Sequence, residues 1–300
     1  MKTKHSATDI LLSDLTALRQ AAVSFLLPDS TKKALTGSGN TFSPFKSRGL
    51  DFQEVRVYQP GDDIRQIDWH ITAKYGKPFT KLYTEEKERT IFFVVDLRAN
   101  MQFATHGDFK SVVAARMAAF IAFIAEQQKE KVGYIILTDD TLVTGGEASS
   151  DAISPFLNAL VKPSSGHQQS SWKNAIRLLN QFLPAGSFIF CLSDFHDWNN
   201  ADTLLLAPLS EKNTFVFCSI YDNMESELPK GHLPFSDGKN TIMVDLEDDR
   251  ARQRFHKEWM AQQNLLQTAA HKYDWGLLPI STDSDYIDIL TRFCFGRSIA

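Results

Sequence analysis

The sequence predicts an α/β protein in which a mainly parallel sheet flanked by helices follows a small β-rich subdomain. Three observations carry that prediction. From about residue 91 onward, short apolar runs alternate with longer amphipathic stretches, and strand, helix, strand at this spacing argues a parallel sheet covered by helices on both faces. The runs that end in Asp96 and Asp194 are the most informative, because open α/β sheets place their sites at the carboxyl ends of strands. Before residue 91 the pattern differs, with Gly, Ser and Pro spread over residues 36–49 and a turn-rich stretch after them.

Taken in order, residues 9–27 read as a helix, and residues 35–90 as mostly strand and turn, with "EVRVY" and "PFTKLYTEEKE" alternating like half-exposed strands. The run Glu85, Glu86, Lys87, Glu88, Arg89 reads as a solvated face. "TIFFVVDL" opens the α/β part, followed by a helix over 108–128, the strand "VGYIILTD", helices over 151–160 and 171–182, and the strands "SFIFCLSD" and "TFVFCSIYD". A second set extends the same architecture: "TIMVDL", a helix over 248–272 with apolar Phe255, Trp259, Leu266 and Ala270, then "WGLLPI" and a closing helix over 284–295. The organisation expected is an N-terminal helix (1–34), a β-rich segment (35–90) and an α/β domain (91–300), without repeats.

Composition bounds the function. Three hundred residues, 43% hydrophobic and 23% charged, describe a globular chain able to bury a sizeable core. A net charge of -4 leaves no basic excess to neutralise phosphates, which argues against nucleic-acid binding. The N-terminus lacks the continuous apolar segment of a secretion signal. The best apolar stretch, "MAAFIAFIA" from Met117, is far shorter than the roughly 20 residues of a membrane helix and reads as a core helix. Cys191, Cys218 and Cys294 are odd in number and far apart, as expected of reduced thiols in the cytoplasm rather than of a catalytic cysteine.

The densest stretch is "RVYQPGDDIRQIDWHITAKYG", residues 56–76. Pro60 and Gly61 force a turn, Asp62 and Asp63 suit its polar positions, and Arg65 is expected to fork onto Asp68. Ile67 and Trp69 are expected to anchor this buckle by packing. The competing reading makes Asp62, Asp63, Asp68 and His70 ligands of a metal, since hard cations want convergent oxygens. No known ligand spacing is matched, so structure or partner docking is preferred.

Residues 37–101 resemble the hallmark of the bacterial domain of unknown function family fifty-eight. Asp51, Phe52, Arg56, Tyr58, Pro60, Gly61, Asp62, Asp63, Arg65, Ile67, Asp68, Trp69 and Ala73 fall on that hallmark, with Lys74 where Arg is commoner. Lys110, "LSDF" at 192–195 and "YDNMESELPKG" at 221–231 agree with later pieces of it. The resemblance implies a von Willebrand factor A-like α/β domain behind a β-rich segment. It also implies a role as partner or adaptor of MoxR-type AAA+ ATPases, in assembling or activating other proteins. Relatives often carry membrane helices ahead of this region, and the chain resembles the branch without them.

Von Willebrand A domains bind Mg²⁺ through Asp-x-Ser-x-Ser after the first strand, a Thr from a second loop and an Asp from a third, all hard oxygen donors. Here the first element reads Asp96, Leu97, Arg98, Ala99, Asn100. Arg98 replaces a ligating hydroxyl with a permanent cation, Asn100 retains an amide oxygen, and Asp194 stands for the third-loop carboxylate. Thr138, Thr141 and Thr144 leave the second-loop position unassigned. If a metal bound, Asp96, Asn100 and Asp194 would hold it, but no cofactor is expected. Asp96 and Asp194 are expected to meet, with Arg98 supplying the charge that Mg²⁺ supplies elsewhere. Asp194, His196 and Asp197 also read as a capped loop leading into a helix. The expectation is a non-enzymatic adaptor for a protein partner, a MoxR-type ATPase or its client, set against a metal-dependent hydrolase using Asp96, Asp194 and His196, with Asp68 and His70 as further candidates.

Overall fold

The computed structural model describes residues 7–24, 51–84, 90–162, 168–226, 228–236, 241–247 and 249–295. Contacts divide the chain into two compact units, residues 45–88 and residues 1–44 with 89–300.

In the smaller unit, strand β1 (Asp51–Val57) pairs antiparallel with β2 (Phe79–Thr84), with an irregularity between Phe52 and Glu54. The connection is not only turn. A 3-10 turn (Ile64–Gln66) and a helix, α2 (Trp69–Tyr75), lie within it. Asp68 starts α2 by accepting from the His70 and Ile71 amides, and Gly76 ends it in the left-handed region at φ 69. The Phe79 amide then donates to Thr72 Oγ1 at 3.0 Å, closing the helix onto the strand that follows it.

The larger unit is built on a seven-stranded sheet in the order β11-β8-β7-β3-β4-β5-β6. Its strands are β3 (Thr90–Asp96), β4 (Lys131–Leu137), β5 (Thr141–Thr144), β6 (Gln168–Gln169), β7 (Phe188–Ser193), β8 (Thr214–Tyr221) and β11 (Gly276–Ser281). The pairs linking β11, β8, β7, β3 and β4 are parallel, while β5 and β6 add antiparallel at one edge. β3 is buried along its whole length, as a central parallel strand covered on both faces must be. "TIMVDL" departs from expectation. Its residues form β10 (Thr241–Asp245), which pairs antiparallel with β9 (His232–Ser236) in a separate ribbon outside the main sheet.

The helices divide between the faces according to which strand side chains they meet. On one face α3 (Lys110–Gln127) and α4 (Ile153–Val161) pack on the sheet, with Phe156 stacked 5.0 Å from Phe93. Helix α3 is buried from Lys110 to Ala125. It is buried all round because α1 (Leu12–Ser24) covers its outer side, burying Leu15 and Ala22 and pairing Arg19 with Glu126. On the other face α5 (Trp172–Phe182), α6 (Asn200–Ser210) and α8 (Asp249–Tyr273) enclose a core of Trp172, Phe195, Trp198, Phe217 and Trp275. A short α7 (Asn223–Ser226) follows β8, and α9 (Tyr286–Phe295) follows β11. Cys191 and Cys218 are buried free thiols in β7 and β8. Among the described residues no helix is long and apolar enough to cross a membrane.

Candidate functional site

The chain leaves β3 for β4 on one side, while β7 occupies the other side of β3, so the strand order reverses between β3 and β7. Open α/β sheets place ligands at the carboxyl ends of such neighbours. Here those ends carry Asp96 and Ser193, followed by Arg98 and Asn100 on one loop and Asp194, His196 and Asp197 on the other.

The β7 loop is bent into position by packing. Phe195 adopts φ 54, unusual for a bulky residue, and sends its ring into the aromatic core 5.2 Å from Trp172. Its amide donates to Ser193 Oγ at 3.0 Å, and Gln262 of α8 donates to the carbonyls of Phe195 and Trp198. With Phe195 drawn inward, its neighbours Asp194 and His196 are held at the sheet edge.

The carboxylates there are engaged by cations of the chain itself. Arg98 Nε and Nη2 fork onto Asp96 at 2.9 and 2.7 Å, and Nη1 and Nη2 fork onto Asp197 at 2.6 and 2.9 Å. Ser193 Oγ donates to the second Asp96 oxygen at 2.7 Å. Burial opposes the Arg98 charge, but Asp96 and Asp197 outweigh it and raise its pKa still further. Asp194 has a different cation. Lys110 Nζ lies 2.7 Å from its carboxylate and 2.6 Å from Glu225, with the Lys110 side chain only 1% exposed. Burial alone would raise the Asp194 carboxyl, yet His196, Lys110 and Asn100 together hold it well below the usual carboxylate range. The same balance, burial against Asp194 and Glu225, raises Lys110.

His196 is the exposed member of the row, its Nδ1 3.6 Å from Asp194 and 3.7 Å from Asp197. These distances exceed a hydrogen bond, so the coupling is electrostatic. The carboxylate of Asp194, aided by Asp197 and opposed by partial burial and Arg98, raises the imidazole above its ordinary pKa.

Several expectations are corrected by this geometry. Arg98 does face the strand-end carboxylates, but it joins Asp96 to Asp197, and the charge of Asp194 is met by Lys110. Asn100 turns its amide nitrogen to Asp194 at 2.9 Å, using its donor where a metal would need its oxygen. Each Asp96 oxygen is already an acceptor within the chain, and among the described residues no group of three or more His, Cys, Asp or Glu could hold a metal ion. Lys110, Ser193 and Glu225 lay within the family-like pieces of the sequence, but their roles depend on side chains brought together from more than 80 positions away.

In the smaller unit the turn is held as a buckle by different partners from those expected. Arg56 pairs with Asp62 at 2.6 Å, and Asp62 also accepts from the Gln59 amide, which lowers its pKa. Asp63 caps the 3-10 turn by accepting from the Arg65 amide. The Asp68 carboxylate accepts from the His70 and Ile71 amides, the bonds of a helix cap rather than of the fork expected from Arg65. Tyr58 donates its amide to Pro78, and Gly61 sits at φ 112, where a side chain would be strained. Trp69 does not anchor the segment. It is 68% exposed, and Val57, Ile64 and Tyr75 are exposed as well.

Known proteins similar to the chain include the uncharacterised Mb1516 of Mycobacterium bovis and Rv1480 of Mycobacterium tuberculosis. Each is 24% identical over 300 residues, covering 96% of this chain and 93% of the relative. The crystal structure of the conserved hypothetical protein BatB from Bacteroides thetaiotaomicron aligns with a TM-score of 0.43 at 17% identity, covering 68% of this chain and 94% of that one. The profile of the family described as "Protein of unknown function DUF58" matches residues 54–265, most of the chain, and the chain belongs to that family.

Proposed function

We propose that the chain is a von Willebrand factor A-like interaction module without catalytic activity of its own, acting in the cytoplasm with a MoxR-type AAA+ ATPase to assemble or activate other proteins. The observation that carries this reading is the guanidinium of Arg98 forked between Asp96 and Asp197, where a hydrolase would keep an open coordination position. With Lys110 on Asp194, the strand-end carboxylates have no need of an added cation and little freedom to hold one. The exposed Trp69 and Ile64 beside the Asp62 turn supply a second support, since large apolar side chains standing in water are a feature of contact surfaces. The sheet order, with five neighbouring parallel strands, is compatible with the von Willebrand A topology.

The test combines two assays on the full chain. Purified protein is mixed with the MoxR-type ATPase of the same cell, with and without ATP, and retention is compared with that of the Trp69→Ala variant. In parallel it is screened for phosphatase and esterase turnover with added Mg²⁺ and Mn²⁺. Retention that weakens in the variant, without turnover, is the expected result. Metal-dependent turnover abolished by Asp194→Ala overturns the reading in favour of a hydrolase.

A further inference from the structure

Helices α5 and α6 lie side by side on one face of the sheet, yet their outer faces differ in kind. α5 turns Lys173, Arg177, Asn180 and Gln181 to solvent, the polar stripe expected of a surface helix. α6 buries Asp202, Thr203 and Leu206 on its inner side. Its outer face carries Ala201, Leu204, Leu205 and Pro208, all exposed, with Leu204 at 65% and Leu205 at 40%. The spacing i, i+3, i+4, i+7 sets these four in one line along the helix, and no charged side chain interrupts it. Leucines scattered singly over a surface need no explanation, whereas a continuous apolar line on an outer helix face is the mark of a contact.

The neighbouring cations select the kind of partner. α5 leads into β7, and α6 leads out of it to β8, which runs parallel to β7, so the two helices point the same way. Burial raises the Asp202 carboxyl above its ordinary value and the Lys173 charge opposes that rise, which sets Lys173 beside the first turn of α6. Arg177, one turn further along α5, then runs level with the middle of the apolar line. Among the described residues neither cation forms a salt bridge, and Arg177 donates only to Asn174 of its own helix at 3.3 Å. Asp202 is 6% exposed and accepts the Asn199 amide, so the charge of Lys173 is left facing outward. Two cations therefore border the apolar line along its α5 side.

We propose that the groove between α5 and α6 receives an acidic amphipathic helix of a partner protein. The apolar side chains of that helix lie on Ala201, Leu204, Leu205 and Pro208, and its carboxylates face Lys173 and Arg177. α5 and α6 have 11 residues each, about 16 Å, so the groove takes about three turns of partner helix. Two other occupants fit less well. A second copy matches the line to itself when the two α6 helices run antiparallel, Ala201 on Pro208 and Leu204 on Leu205. The same two-fold sets α5 against α5, and Lys173 and Arg177 against like charges. An anionic bilayer is gripped by a broad apolar face, whereas this line is narrow.

The test needs no ATPase, so its outcome is separate from that of the partnership proposed above. Fluorescence anisotropy with the full chain uses a labelled helical peptide, lactam-stapled to hold its shape in water, with leucines at i, i+3, i+4 and i+7 and glutamates along one flank. A control peptide carries lysines on that flank. The acidic peptide is expected to bind at least tenfold more tightly than the control and to weaken as salt is raised. Leu204→Glu, at an exposed position where folding is not at stake, is expected to weaken it at least tenfold. Lys173→Glu with Arg177→Glu is expected to reverse the preference between the peptides, whereas Lys74→Glu with Lys77→Glu, the same change of net charge in the smaller unit, leaves it as it was. No binding of the acidic peptide up to millimolar concentration, or a preference that the α5 reversal does not move or that both reversals move equally, overturns the proposal. A concentration-dependent dimer abolished by Leu204→Glu in sedimentation overturns it in favour of a second copy. Flotation with phosphatidylserine vesicles, lost in the same variant, overturns it in favour of a bilayer.

Discussion

Replacing Lys110 by Met removes one amino group and keeps nearly the same volume, so the variant isolates the charge. In the native protein Lys110 Nζ lies 2.7 Å from Asp194 and 2.6 Å from Glu225, and the side chains of Lys110 and Asp194 are 1% and 8% exposed. Removing one partner of a buried pair leaves an uncompensated charge and costs about 3–5 kcal/mol. Asp194 keeps Asn100 and the nearby His196, so a loss near 3 kcal/mol is expected at pH 7. The pH dependence is the sharper signature. The native Asp194 pKa is depressed, so its contribution is present above the unfolded value of about 3.9 and is lost as pH falls through the folded value. Without Lys110 the burial that opposes the charge gains weight and the carboxyl titrates higher, so protonation relieves the variant first. The deficit should therefore shrink as pH is lowered from 7 towards 4.5. Urea unfolding followed by tryptophan fluorescence measures it, since Trp172, Trp198, Trp259 and Trp275 all lie in the larger unit. Lys110→Met with Asp194→Asn should recover part of the loss. A deficit under about 1 kcal/mol, or one that is flat with pH, refutes the account.

Three further outcomes follow from the same contacts. The native protein should give no heat with Mg²⁺ and its partner binding should ignore EDTA, whereas Arg98→Ser, which frees Asp96 and Asp197 and restores a hydroxyl, should gain a Tm that rises with Mg²⁺; micromolar Mg²⁺ affinity in the native chain defeats the Arg98 argument. Asp68→Ala should destabilise the smaller unit by about 1 kcal/mol through loss of the α2 cap, with Asp68→Ser close to native, and a change below about 0.5 kcal/mol removes the buckle role. Trp69→Ala should alter stability by less than about 0.5 kcal/mol in the same unfolding assay, because the ring is exposed; a larger loss means that it packs after all.

The central sheet was legible because β3, β7 and β8 are apolar runs whose side chains are buried on both faces. "TIMVD" looked the same by composition yet joins a ribbon with β9, and Met243 is exposed: a short apolar run does not reveal its pairing partner. Helix α2 was missed although both of its ends were spelled out, by Asp68 as cap and Gly76 as stop, because seven residues show too little periodicity to stand out. Asp96 and Asp194 were readable from the strand-end rule. The pairing of their cations was not, since Arg98 and Lys110 choose among several carboxylates by the direction in which α3 and the two loops project them.

That choice of partners explains why a costly arrangement is kept. Buried ion pairs are weak sources of stability, and well-packed apolar groups often do as well. What apolar groups cannot do is fix the relative placement of four loops. Arg98 ties the loop after β3 to the loop after β7, and Lys110 ties the start of α3 to that loop and to α7. The chain of bonds continues, for Glu225 accepts the Asp222 amide, and Asp222 accepts from Thr105 and from Thr282 after β11. The carboxyl ends of β3, β7, β8 and β11 are thus joined through polar groups that each have a specified mate. A partner meeting this edge meets a preorganised surface, and little of its binding energy is spent on ordering loops. A metal could have gathered the same carboxylates, but only while bound. Here cations that belong to the chain engage those carboxylates.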